Sequence, residues 1–255
     1  MKKLGMPSDL ISLGYDAVDN SFFAKKAEEP GGGGWDVGNE KRPYFLASAR
    51  FIQKKNLFQL LRAYARYREL MNSSILDGRH SSGSRPWDLL LLGDGALRSD
   101  LSLLISDLGI DGHVQMPGFK QYEELPSYYA HAGAFIHAST TEQWGLVVNE
   151  AMASGLPVLV SNRCGCAADL VKEGENGWTF DPTNEEQMAD CMRRISADDE
   201  VRFAMGSRSR EIIRGWGPDR FAAGLSAAVN ASFDAPPPLI GVSDRILFAA
   251  LLGQL

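Results

Sequence analysis

Two glutamates, Glu142 and Glu150, lie in a stretch that carries most of the chemical information in this chain. The surrounding pattern predicts a strand at 134–137, a polar loop that holds Glu142, and a helix that begins near Gly145 and ends at Gly155. Glycine suits the left-handed position that closes many helices. Open α/β sheets bind ligands at the carboxyl ends of their strands, so we expect Glu142 to face such a crevice.

The predicted helix adds a second binding element. The first amides of a helix have no intrahelical acceptors and attract phosphate. Glu150 would lie roughly 7 Å along the axis from the start of the helix. One carboxylate can bind the hydroxyls of a sugar and the other those of a ribose, with a diphosphate between them. The alternative is that both glutamates are simply solvated, although the apolar neighbours of Glu150 predict a buried helix in which a carboxylate needs partners.

Basic residues follow the first regular strand, which is predicted at 44–47. Arg50 and Lys55 flank the turn between this strand and a helix predicted at 56–71. Cations at such a turn can neutralise a diphosphate leaving group. Taken alone, two basic residues in a loop are more often solvated. Lys54 is not included in the predicted site.

Two further turns follow predicted strands at 87–92 and 114–116. Gly93 and Gly95 form a tight turn that lacks the full dinucleotide-binding fingerprint and is a weak signal alone. Phe119 follows the next strand, and its position is as compatible with a core aromatic residue as with a residue that lines a binding site.

Together these segments resemble the retaining glycosyltransferases of family 4, which have the GT-B fold. The stretch from Glu142 to Glu150 resembles the family's E-x7-E signature. The segment with Arg50 and Lys55 resembles its G-R-x-x-x-x-K-G motif, with Ala49 and Asn56 in place of the glycines. The resemblance implies that Glu142 contacts the transferred sugar, Glu150 binds the ribose, and Arg50 and Lys55 contact the donor's phosphates.

The resemblance also implies a set of residues that line the donor site. Backbone amides would contact the phosphates and sugar, a glycine turn would border the site, and the segment after the third strand would lie beside the base. The amides are those of Gly145, Leu146 and Val147. The glycine turn contains Gly93 and Gly95, and the segment beside the base contains Phe119 and Lys120.

Alternating strands and helices predict an α/β fold with a Rossmann-like parallel sheet covered on both faces. We predict a leading segment and linker with a Gly-rich insert at 1–43, a sugar-nucleotide-binding domain at 44–233, and a Pro-rich linker with an apolar helix at 234–255. The resemblance covers roughly 10–215 and corresponds to the C-terminal half of a GT-B enzyme. The N-terminal acceptor domain is expected to be absent.

The expected function is therefore that of a hexosyltransferase-type donor domain for a nucleotide-diphosphate sugar, inactive without an acceptor domain. Expected partners are a separate acceptor-domain chain or a second copy bound through the exposed cleft. A nucleotide-sugar-binding module without transferase activity is the alternative. An unrelated Rossmann oxidoreductase is disfavoured by the missing G-x-G-x-x-G. No cofactor and no metal are expected, since no D-x-D pair is placed to hold one.

The composition excludes several other classes. The chain has 255 residues and a net charge of -6, which argues against a broad nucleic-acid surface. No apolar run is long enough to span a bilayer, and no signal peptide is visible. Three cysteines are an odd, sparse count that fits a reducing compartment, so a cytoplasmic location is expected. Cys164 and Cys166 are interpreted as ordinary thiols.

Overall fold

The computed structural model describes residues 11, 16–28, 42–76 and 85–234, with the side chains of 26–28 and 74–76 outside that description. Six strands of this part form one sheet: β1 (Tyr44–Ser48), β2 (Asp88–Leu92), β3 (Val114–Gly118), β4 (Ala134–His137), β5 (Val158–Ser161) and β6 (Gly177–Phe180). The helices between and around them are α1 (Asn20–Glu28), α2 (Leu57–Leu76), α3 (Arg98–Asp107), α4 (Leu125–His131), α5 (Leu146–Ala153), α6 (Ala167–Leu170), α7 (Glu185–Ser196), α8 (Asp199–Arg214) and α9 (Pro218–Asp234).

All strand pairs are parallel, and the strand order is β3-β2-β1-β4-β5-β6. The first three strands run outward from β1, and β4 then returns to pair with the other side of β1. The order of the strands therefore reverses between β1 and β4. In open α/β sheets such a switch point opens a crevice at the carboxyl ends of the strands.

Successive strand residues point to opposite faces of the sheet, and each face is buried. Phe45 and Leu89 belong to a core with α2, α3 and α7, while Leu46 and Leu90 belong to a core with α1, α4 and α5. Burial on both faces explains why these strands are nearly continuous apolar runs. The predicted α/β fold with helices on both faces is confirmed.

Some predicted boundaries were wrong. Helix α2 continues to Leu76, so the predicted loop at 73–85 begins as helix; Ser73 is tolerated there because its side chain is exposed. Helix α1 lies in the segment predicted as a linker, and its Phe23 is fully buried. Strand β3 extends through Gly118.

Two predicted features fall outside the described residues. They are the Gly-rich insert at 31–34 and the apolar helix at 245–252. The described chain divides into two compact units, one of which is Asp16–Arg220 and holds the whole sheet. The domain limits at 43 and 233 stay predictions. Within the described ranges, no helix has both the length and the apolar character needed to cross a membrane.

Candidate functional site

The loops after β1 and β4 meet at the switch point and are joined by Asn56. Asn56 has φ 59° and ψ 34°, the left-handed conformation that glycine usually adopts. Asparagine tolerates it, and here its side-chain amide donates to the carbonyls of Ala138 at 3.1 Å and Pro182 at 2.7 Å. Where the resembled motif has glycine, Asn56 thus adopts a left-handed conformation and adds two side-chain bonds between loops.

The loop connection brings Lys55 and Glu142 together. The Lys55 ammonium donates to Oε2 of Glu142, and both side chains are largely buried. Lys54 Nζ lies 3.5 Å from the other oxygen, Oε1, and its side chain is 41% exposed. Lys54 was left out of the predicted site, but it lies within the same charge cluster.

Two opposing effects set the charge of Glu142. Burial acts to raise the pKa of this carboxyl, but the hydrogen bond and positive charge of Lys55, together with Lys54, outweigh it and lower the pKa. His137 Nε2 is 3.8 Å from Glu142 Oε2 and is buried. Burial, together with the charge on Lys55, lowers the pKa of His137 to about 4. At neutral pH Glu142 is therefore a carboxylate and His137 a neutral imidazole.

The backbone around Glu142 is fixed from both sides. The Thr140 amide donates to the Lys54 carbonyl at 2.9 Å, and the Gly165 amide donates to the Glu142 carbonyl at 3.0 Å. A Cβ at position 165 would lie 1.8 Å from the carbonyl oxygen of Gln143, so this close approach requires glycine. The loops after β1, β4 and β5 therefore form one hydrogen-bonded unit that orients Glu142.

Helix α5 begins beside this cluster without a side-chain cap. Gly145 is the N-cap residue, with φ 108°, and no side chain accepts from the first turn. Within the described part of the chain, the amides of Leu146 and Val147 donate to no residue. A Cβ at Gly145 would lie 3.4 Å from His137 Nε2 and 3.6 Å from Cγ of Glu142. The amides predicted to bind phosphate are therefore open and lie next to Glu142.

Glu150 lies one turn further along α5 and is held by a tyrosine. The Tyr129 hydroxyl donates to Glu150 Oε2 at 2.7 Å. Burial raises the pKa of the Glu150 carboxyl, and the hydrogen bond from Tyr129 opposes this rise. The two glutamates thus differ: Glu142 is paired with cations, whereas Glu150 has a neutral partner.

A cavity of about 600 Å³ opens at this edge of the sheet. Its walls include seven of the predicted site residues, namely Arg50, Lys55, Gly93, Gly95, Phe119, Lys120 and Val147. Glu142, Glu150, Gly145 and Leu146 are outside this lining but belong to the adjacent loop and helix.

Gly93 and Phe119 occupy distinct parts of the cavity wall. A Cβ at Gly93 would lie 1.9 Å from the Ala49 carbonyl oxygen, so the loops after β1 and β2 require glycine to pack this closely. Phe119 is 70% exposed, and the alternative that it is a core aromatic is wrong. The Lys120 ammonium is 5.5 Å from the ring centre of Tyr128 and 3.6 Å from Oε1 of Glu124.

Sequence reasoning missed the roles of Tyr129 and Asn56. Tyr129 carries no motif, and its contact with Glu150 depends on how α4 packs beside α5. Asn56 was noted only as a departure from glycine, although asparagine is the residue most often substituted at left-handed positions. The buried thiols of Cys164 and Cys191 have pKa values raised by burial to about 11 and about 12, as expected of ordinary cysteines.

A doubly wound parallel sheet with cations, a carboxylate and open helix amides at its switch point defines a Rossmann-like ligand-binding domain. Residues 36–212, more than half of the chain, match the family model described as glycosyl transferases group 1. The chain therefore belongs to this glycosyltransferase family.

The curated relatives and solved structures agree with this assignment. The lipopolysaccharide core biosynthesis glycosyltransferase LpsE of Rhizobium meliloti (strain 1021) is 31% identical over 173 residues, which cover 68% of this chain and 45% of LpsE. The chain thus corresponds to less than half of that relative's length.

Two solved structures share the fold. Anabaena Alr3699/HepE in complex with UDP and glucose is 22% identical, with a TM-score of 0.64 over 91% of this chain and 59% of that one. The C-terminal domain of LpcC, a glycosyl transferase group 1 family protein from Francisella tularensis, is 20% identical, with a TM-score of 0.58 over 78% of this chain and 97% of that one. The sheet is that of a Rossmann-like half of the GT-B fold.

Proposed function

We propose that this chain is the donor-binding half of a retaining glycosyltransferase of family 4 that uses a nucleotide-diphosphate sugar. The observation that carries the proposal is the contact between Lys55 and Glu142 across the switch point, beside the open amides of α5. This arrangement provides a cation for a phosphate, a carboxylate for sugar hydroxyls and backbone donors between them. A hexosyl donor fits the transferases that this chain resembles.

The diphosphate would bind where positive charge and amide groups converge. Arg50 and Lys55 line the cavity. The first amides of α5 lie at the positive end of the helix dipole, which attracts anions. In the reaction, the bond between the anomeric carbon and the donor phosphate oxygen breaks, the acceptor hydroxyl bonds to that carbon and loses its proton, and negative charge develops on the diphosphate. Fixed cations and amides stabilise such a leaving group without reorganisation. In this proposal Arg50 and Lys55 neutralise that charge, and no metal is needed.

Glu142 would hold the transferred sugar. Its carboxylate is ionised and oriented by Lys55, by the backbone bonds of its loop and by Gly165. A fixed carboxylate accepts hydrogen bonds from sugar hydroxyls and places the anomeric carbon relative to the diphosphate. Glu150 would bind the ribose, and Phe119 and Lys120 would lie beside the base.

Sugar transfer also needs a bound acceptor and exclusion of water. Since the chain covers only 45% of LpsE, we propose that acceptor binding resides in a region that this chain does not match. On its own, this chain would then bind the donor but would not transfer the sugar. The acceptor region would belong to a partner chain or to another copy docked at the cleft.

The proposal is tested by thermal shift with UDP, GDP, ADP and their common sugar conjugates. A ligand at 100 times its Kd stabilises by about 2.7 kcal/mol, which for a domain of this size is roughly 5–10 °C. We expect this shift with one base, and its loss in Arg50→Ala and Glu150→Ala. Arg62→Ala, an exposed arginine on α2, is the matched control and should keep the full shift. A cooperative unfolding transition that no nucleotide moves would contradict donor binding by this chain.

A further inference from the structure

The hydroxyl of Tyr129 is a buried polar group that the proposed donor chemistry does not use. Tyr129 lies on α4, is fully buried, and packs against Phe23 and Phe135 with ring centres 5.7 Å away in each case. Tightly packed aromatic neighbours leave its ring one orientation. In that orientation the hydroxyl donates to Glu150 Oε2 at 2.7 Å.

The Tyr129 hydroxyl has a second polar neighbour, and this neighbour lines the cavity. Ser48, the last residue of β1, is a polar neighbour of the Tyr129 hydroxyl and also lines the cavity. Tyr129 therefore lies between the end of β1 and Glu150. The hydrogen bond to Oε2 holds the Glu150 side chain on α5 relative to Tyr129 on α4.

Among the described residues, Tyr129 forms the hydrogen bond to Glu150, and this bond uses the carboxylate oxygen Oε2. No described residue bonds Oε1, which in the proposed function is the oxygen that meets the ribose. A carboxylate with one oxygen held rigidly offers the other to a pair of adjacent hydroxyls in a fixed direction. An unheld glutamate would instead distribute its carboxylate over several rotamers.

We propose that Tyr129 is a positioning residue for ribose recognition: its hydroxyl holds the Glu150 carboxylate so that the ribose hydroxyls of the nucleotide are distinguished from those of a deoxyribose. This inference rests on the proposed function, in which Glu150 binds the ribose. It adds a residue on a separate helix and a defined selectivity for ribonucleotides.

A second consequence concerns protonation. Burial raises the pKa of Glu150, while the donated hydrogen bond stabilises the anion and opposes that rise. Without the tyrosine hydroxyl the carboxyl is protonated up to a higher pH and then binds hydroxyls less well. Ribose selectivity should therefore depend on pH, and Tyr129 should set the pH at which it appears.

The experiment compares the dissociation constants of UDP, GDP and ADP with those of dUDP, dGDP and dADP by calorimetry. For the base that binds, the wild type should prefer the ribonucleotide, and Tyr129→Phe should reduce this preference by on the order of tenfold, the size of a hydrogen bond to a charged group. Binding of the deoxynucleotide should change little. The preference should also develop at a higher pH in the variant.

Tyr64→Phe is the matched control for loss of a buried hydroxyl. Tyr64 is fully buried on α2, and its hydroxyl lies 2.9 Å from the carbonyl of Trp87 and 3.1 Å from that of His113. The Tyr64→Phe variant should therefore lose stability but keep the wild-type preference for the ribonucleotide. If Tyr129→Phe does not fold, 3-fluorotyrosine at position 129 keeps the hydroxyl and makes it a stronger donor. The preference should then develop at a lower pH than in the wild type.

The outcomes separate this inference from the proposed function. A wild-type preference retained by Tyr129→Phe but lost in Glu150→Gln would overturn the role of Tyr129 alone. A preference retained by Glu150→Gln would show that Glu150 does not bind the ribose, and both assignments would fall. A pH profile that 3-fluorotyrosine leaves unmoved would also contradict the role of Tyr129.

Discussion

The side chain of Asn56 donates to the carbonyl of Ala138 at 3.1 Å and so connects the segment after β1 to the segment after β4. Lys55 directly precedes Asn56 in the chain and pairs with Glu142 in the loop after β4. The position of Lys55 relative to Glu142 thus depends on the neighbouring Asn56.

We predict that Asn56→Ala destabilises the chain more than Asn56→Gly. Both variants lose the bonds to Ala138 and Pro182, but alanine also pays about 1–2 kcal/mol to adopt the left-handed conformation. Chemical denaturation should show this difference in the free energy of unfolding. Equal losses in the two variants would mean that the backbone conformation of Asn56 contributes nothing.

Gly93→Ala is expected to be strongly destabilising, by about 3 kcal/mol or more, because its Cβ would overlap the Ala49 carbonyl and its φ is 122°. Gly112→Ala is the matched control, since a Cβ there meets no atom within 4 Å. Thermal unfolding should separate the two variants clearly. A Gly93→Ala protein as stable as Gly112→Ala would show that the β1 and β2 loops tolerate a wider spacing.

The two glutamates should respond with opposite sign to conversion to glutamine. The folded-state pKa of Glu142 is lowered, so its contribution to stability is present above its unfolded pKa of 4.5 and is lost as pH falls through the folded pKa. Glu142→Gln should therefore be less stable than the wild type at pH 7. The difference should shrink as pH falls below 4.5.

Glu150 has a raised folded-state pKa, so its favourable contribution is present below 4.5 and is lost as pH rises through the folded pKa. Glu150→Gln should be at least as stable as the wild type at pH 7, and this advantage should disappear near pH 4. Denaturation curves at both pH values check the two glutamates together. A Glu150→Gln variant that is destabilised at pH 7 would be evidence that the carboxylate is required for the fold.

His137 should make the chain sensitive to mild acid. Its pKa is lowered to about 4 by burial, so its neutral form contributes stability above pH 6.5 that is lost progressively as pH falls toward 4. The full loss is at most about 3 kcal/mol. Between pH 7 and pH 5, where Glu142 remains ionised, His137→Gln should lose less stability than the wild type. His131→Gln, which removes a histidine that contacts the Ser127 carbonyl on α4, is the control variant for the loss of an imidazole.

The strands β1, β2, β4 and β5 were predictable because each is a short, mostly apolar run that is buried on both faces. The strand at 134–137 was predicted with its observed bounds, and the one at 158–160 ended one residue early. Helix α1 was missed because Phe22 and Phe23 are adjacent and show no helical spacing. The end of α2 was misjudged because its polar residues also suit a loop.

The candidate site was predictable in its location but not in its contacts. Loops at the carboxyl ends of parallel strands must gather at one edge, so the sequence placed Arg50, Lys55 and Glu142 there. The pairing of Lys55 with Glu142 depends on β1 lying beside β4, which periodicity along the chain does not determine. The inclusion of Lys54 and the partner of Glu150 depend on tertiary packing in the same way.

The uncapped start of α5 has a consequence for local dynamics. A capping side chain stabilises a helix by a few tenths of a kcal/mol relative to an N-cap glycine, and this helix begins at Gly145 without one. The first turn should therefore open more readily than the rest of α5 and exchange its amide protons with solvent faster. A bound phosphate would serve as the cap, so occupancy of the site would be recorded as slowed exchange at Leu146 and Val147.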